Sequence, residues 1–125
     1  MRMLESRENY LEAILMLKQE IGQVRSIDIA RKLSYSKASV SRAVGILKNG
    51  GYITVDAKGY ISLTAEGLAK AEAIYERHRT LTSFFMEIAG VPEHVAEEDA
   101  CRCEHVLSKQ TFQGIKMYLN ENGVC

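Results

Sequence analysis

Apolar residues Tyr10, Leu11, Ile14, Leu15 and Leu17 recur at helical spacing after a polar start at Ser6, which predicts an amphipathic helix ending near Gly22. Its other face carries Glu8, Asn9 and Glu12. Ser26 is the expected cap of a short helix, IDIARKL, and Ser36 the cap of a second, KASVSRAVGILKNGG, with Val40, Val44 and Leu47 as its buried stripe. The pattern then changes period. After the Asn-Gly-Gly stop at 49–51, YITVD and YISLT are two β-rich runs separated by Ala57, Lys58 and Gly59, which predicts a hairpin. A helix, a helix-turn-helix and a hairpin in that order make a winged helix.

Thr64 is placed to cap a long helix over 65–89, marked by Leu68, Ala71, Ile74, Tyr75, Leu81, Phe85 and Ile88. Gly90 and the single proline, Pro92, interrupt it. A helix over 93–108 and a last one over about 110–120 follow, the latter with Ile115, Met117 and Leu119 as packing residues. The expected fold is mainly α: a winged helix-turn-helix with a two-stranded wing over 1–72, then an all-helical domain over 73–125.

Net charge changes this picture less than its distribution. Lys plus Arg and Asp plus Glu both number 16, so no global field announces a nucleic-acid partner. Basic residues gather in Arg25, Arg31, Lys32, Lys37, Arg42 and Lys48, and acids in Glu93, Glu97, Glu98, Asp99 and Glu104. The basic half is the expected DNA-facing one. No apolar run is long enough to span a bilayer and no leader pattern is seen, so the expected location is the cytoplasm, with no membrane partner. Three cysteines, two of them one residue apart, suit free thiols in a reducing compartment better than a disulfide framework.

The second helix of the pair is the expected DNA reader. Ser36, Lys37, Ala38, Ser39, Ser41 and Arg42 combine short side chains, which let a helix sit deep in the major groove, with basic groups for phosphates or guanine edges. Arg25 and Lys58, the latter at the wing tip, add backbone contacts. The alternative is that these serines cap and solvate a surface helix, since winged helices also mediate protein interactions. In CRCEHVLS, Cys101, Glu104 and His105 at i, i+3 and i+4 put a thiol, a carboxylate and an imidazole on one helix face. That is half a metal site.

SRENYLEAILML, the helix pair with its wing ending in ISLTAEG, YERHRTL and above all EEDACRCEHVLS together resemble the metal-dependent repressors of the diphtheria toxin repressor and manganese transport regulator family, over nearly the whole chain. With no SH3-like lobe before Cys125, the chain looks like the short, two-domain form typical of the manganese-responsive branch. The resemblance implies metal ligands at Glu12 and His78, as in the manganese branch, and at Glu104 and His105, as in both branches. It sets Cys101 where the iron branch has a thiol and the manganese branch a carboxylate. Asn9 departs from both branches, which have aspartate or methionine there; its amide offers a neutral oxygen but neither charge nor sulfur. Glu97 and Thr82 fall where the iron branch builds an ancillary site, and neither preserves its ligand, so that site is expected to be degraded.

Each ligand alone has a plainer reading: a solvated Glu12, a surface ion pair of His78 with Glu76, a small packed Cys101. Cys103 points to another face and is expected to pack, His94 to be solvated, and the terminal Cys125 to play no part. The cofactor expected is a divalent transition metal. Thiolate with imidazole and carboxylate favours softer or borderline ions over Mn(II), and raw affinity favours zinc or copper, but availability in the cell points to Fe(II). Mn(II) is the alternative because Glu12, His78 and the short architecture resemble the manganese branch. Leu81, Phe84, Phe85, Ile88 and Val91 exceed what one helix hairpin hides, which predicts a homodimer on a palindromic DNA operator. The function expected is a metal-activated repressor of metal-uptake genes. The alternative is a metal-independent regulator that senses oxidation through Cys101 or Cys103. A metal hydrolase is disfavoured, because the chain lacks a paired-histidine zinc motif and a nucleophile elbow; no enzyme activity and no small organic substrate are expected.

Overall fold

The computed structural model describes residues 5–122; Cys125 lies outside them. The chain divides into two compact units between Glu72 and Ala73.

The first unit holds α1 (Glu5–Ile21), α2 (Ser26–Leu33), α3 (Lys37–Asn49), β1 (Ile53–Val55), β2 (Ile61–Leu63) and the start of α4 (Ala65–Phe84). It is the expected winged helix. α1 packs on α2, α3 and β2, and Leu11, Ile14, Val24, Ile29, Val40, Leu47, Ile53 and Ile61 are all buried. The antiparallel wing pairs Ile53 with Leu63 and Val55 with Ile61. Ile61 also donates its N–H to the Val24 carbonyl at 2.7 Å, which ties the strand to the segment before α2. At the wing tip Asp56 Oδ1 accepts from the amides of Lys58 and Tyr60, both at 2.9 Å, and Gly59 supplies the left-handed φ of +85° that closes the turn.

Caps decide the helix starts. Ser36 Oγ accepts from the Ser39 amide at 3.1 Å and Thr64 Oγ1 from the Gly67 amide at 3.1 Å, as the sequence predicts. Ser26 is not a cap. It is the first helical residue of α2, and Arg25 holds the cap position, its N–H donating to Asp28 Oδ2 at 2.9 Å. On α3 the buried stripe is Val40, Ala43 and Leu47; Val44 is only half-buried.

The second unit holds the rest of α4, a π-helical turn at Phe85–Ala89, α5 (Glu93–Cys103) and α6 (Lys109–Glu121). The long helix is thus α-helical only to Phe84 before its last turn widens, and Gly90, at φ +69°, ends it. α5 stops five residues short of the expected end. Glu104 and His105 therefore sit in a turn and do not continue the helical face of Cys101. Ser108 caps α6, accepting from the Thr111 amide at 3.0 Å. The buried residues of α6 are Phe112 and Leu119, whereas Met117 is 61% exposed and does not pack as expected. Leu81 is buried within the chain and is no surplus apolar residue, but Phe84, Phe85 and Val91 stay partly exposed and Ile88 is exposed.

Candidate metal centre and DNA-reading surface

α3 presents opposite faces to core and solvent. Lys37, Ala38, Ser39, Ser41 and Arg42 are exposed while Val40, Ala43 and Leu47 are buried, so the residues expected to read DNA share the outward face. Ser36 and Ser39 are partly committed to local structure, their hydroxyls 2.9 Å apart. Arg25 is exposed with its guanidinium 4.5 Å from the centroid of the Tyr60 ring, which links the N-terminus of α2 to the base of the wing. Lys58 is exposed in the wing turn.

In the second unit α4 and the turn after α5 bring three of the expected metal ligands together. His78 Nδ1 lies 2.9 Å from Glu104 Oε2, and His105 Nε2 lies 3.3 Å from Glu104 Oε1. The Glu104 side chain is fully buried, that of His105 is 1% exposed and that of His78 20%. An isolated carboxylate taken out of water costs several kcal/mol, so a buried Glu104 demands cationic or donor partners, and imidazoles face both of its oxygens. His78 does not pair with Glu76; Glu76 meets Lys116 at 2.8 Å instead. Two imidazoles and a buried carboxylate form a donor set that fits a borderline divalent ion such as Fe(II), Mn(II) or Zn(II). Cys101, in the last turn of α5, is exposed; Cys103 is half-buried and His94 exposed. In the first unit, Glu12 on α1 is buried, not solvated, and Asn9 one turn earlier is half-buried.

Sequence reasoning missed Arg77, beside His78 on α4. Its Nη1 donates to the carbonyls of Glu104 at 3.0 Å and Leu107 at 2.9 Å. These bonds explain the early end of α5. Carbonyls that a longer helix would bond through later amides are taken up by a side chain from another helix. The only hint in the sequence is a basic residue next to a histidine.

Residues 2–61 match the family model for the iron-dependent repressor N-terminal DNA-binding domain, and residues 64–125 that for the iron-dependent repressor metal-binding and dimerisation domain. The chain belongs to the iron-dependent repressor family. A helix-turn-helix transcriptional regulator of Methanocaldococcus jannaschii is 30% identical over 120 residues, covering 95% of this chain and 96% of the relative. The transcriptional regulator MntR of Escherichia coli is 30% identical over 116 residues, 93% of this chain and 74% of MntR. Among solved structures, that of the manganese regulator SloR superposes with a TM-score of 0.82 at 27% identity, covering 91% of this chain. The chain spans 53% of SloR, about half its length. Members of the iron-dependent repressor family regulate transcription, and this chain is such a regulator and not an enzyme. Its N-terminal half is the DNA-binding domain and its C-terminal half the metal-binding and dimerisation domain. No described helix is long and apolar enough to cross a membrane.

Proposed function

We propose that this protein is a homodimeric repressor of metal-uptake genes that binds a palindromic operator when a divalent metal is bound, Fe(II) by preference and Mn(II) as the alternative. The buried Glu104 carboxylate between two imidazoles, within the domain matched as metal-binding, carries this reading. His78, Glu104 and His105 form its centre, Cys101 adds a soft donor, and Glu12 adds a carboxylate from α1, with Asn9 as an auxiliary neutral oxygen. A bound divalent ion supplies the positive charge that these donors share. In the metal-loaded protein Ser36, Lys37, Ala38, Ser39, Ser41 and Arg42 read the major groove while Arg25 and Lys58 hold phosphates. In a two-fold dimer the two reading helices would meet half-sites about 34 Å apart, one turn of the duplex.

The test is DNA binding by chelator-treated protein, titrated anaerobically and under reducing conditions with Fe(II), with Mn(II) and with no metal, at fixed salt. Metal-dependent binding is expected; equally tight binding without metal would refute the proposal. The exposure of Cys101 favours a second reading, oxidant sensing without metal. Glu12→Gln and His78→Gln separate the two, since oxidant sensing needs only the thiols.

A further inference from the structure

Arg77 lies outside the proposed ligand set yet holds the segment that carries two of its members. Its Nη1 donates to the carbonyls of Glu104 and Leu107, which bracket His105 in the turn after α5. The same guanidinium lies 5.1 Å from the centroid of the Phe112 ring on α6. The next residue of α4, His78, places its Nδ1 2.9 Å from the Glu104 carboxylate. Two consecutive residues of α4 therefore grip Glu104 at both ends, Arg77 by the backbone and His78 by the side chain.

We propose that Arg77 is a positioning residue for the metal centre: it clamps the 104–107 turn onto α4 and so sets the distance from His78 at which Glu104 and His105 present their donors. The proposal rests on the metal-dependent reading above. A planar guanidinium can serve two carbonyls while its face lies on an aromatic ring, a combination a lysine ammonium does not reproduce. A cation at the C-terminal end of α5 also meets the negative end of that helix. Without the clamp, the turn must be ordered at the moment of metal binding, and affinity falls by the cost of that ordering. Charge acting alone predicts the opposite, because deleting a nearby cation would tighten the binding of another cation.

The opposite signs define the experiment. Full-length wild type, Arg77→Met, Arg77→Lys and the control Lys116→Met, which removes the neighbouring ion pair with Glu76, are titrated with Mn(II) by the electron paramagnetic resonance of the free ion. They are also loaded with Co(II) for its absorption spectrum. Arg77→Met should weaken Mn(II) binding about 10–100-fold, the usual range for a group that supports ligands from outside, and should shift the Co(II) ligand-field bands. Arg77→Lys should fall between, and Lys116→Met should match wild type in both. Unchanged or tighter Mn(II) binding by Arg77→Met, or an unaltered Co(II) spectrum, overturns the proposal. If Arg77→Met does not fold, wild-type affinity in Arg77→Lys overturns it. A merely structural role would lower the melting temperature and leave the Co(II) spectrum alone. Failure of wild type itself to bind either ion would instead defeat the metal-dependent reading, and this proposal with it.

Discussion

Gly67→Ala tests how the wing and the start of α4 are held together. A methyl group at Gly67 would lie 1.9 Å from the Tyr52 carbonyl oxygen. Contacts under 3.0 Å are not tolerated, so the backbone has to yield by more than about 1 Å. The same carbonyl accepts the Thr64 amide at 3.0 Å, and Thr64 Oγ1 donates to the adjacent Gly51 carbonyl at 2.7 Å. Yielding therefore stretches two hydrogen bonds, each worth about 1 kcal/mol. Overpacking adds about 1–3 kcal/mol, for a total of about 3–5 kcal/mol out of a stability of about 5–15 kcal/mol. Gly51 and Tyr52 directly follow α3, so DNA affinity should fall as well. The comparison is Gly114→Ala in α6, where the added methyl meets nothing within 4 Å. That change should stabilise by about 0.5–1 kcal/mol, since alanine restricts the unfolded chain and suits a helix interior. The assay is the urea midpoint followed by far-UV circular dichroism, with the slope checked for constancy. A Gly67→Ala midpoint equal to wild type, or a Gly114→Ala midpoint below it, would refute the packing described for these two sites.

Cys101→Glu exchanges a soft donor for a hard one and should move the order of activation toward Mn(II) over Fe(II) in the DNA-binding titration; an unchanged order counts against a thiolate ligand. Arg42→Ala removes an exposed cation from the outward face of α3. If Arg42 meets a phosphate, affinity should drop on all sequences and the salt slope should shrink by about 1; if it reads a base, discrimination at one position should be lost instead. No change in either would remove Arg42 from the interface. Burial raises the pKa of the Tyr10 hydroxyl, and the neighbouring Tyr35 raises it further. The folded chain therefore keeps the proton longer than the unfolded chain, and stability is lost as pH climbs past about 10. Tyr10→Phe should flatten this alkaline loss in urea midpoints, and identical slopes for the two proteins would refute it.

The winged helix was legible because each of its elements is specified locally. Ser36 and Thr64 carry their own capping oxygens, Gly59 its own left-handed turn, and period-2 alternation marks the wing. Cys101, Glu104 and His105 stood out for a different reason: histidine, cysteine and glutamate crowded into CRCEHVLS is an uncommon composition whatever the backbone does, whereas Glu12 and His78 were candidates only through the family resemblance. What the sequence could not say was where α5 ends, because that is settled by Arg77, which lies 27 residues before Glu104. The i, i+3, i+4 spacing therefore suggested one helical face, whereas tertiary hydrogen bonds turn Glu104 and His105 into the protein and leave Cys101 exposed. Burial was equally hidden for Met117, Phe112 and Leu81, whose apolar character is alike but whose neighbours are not. Local propensity and composition are properties of a stretch of chain; the capture of a carbonyl or the burial of a carboxylate depends on groups that only folding brings near.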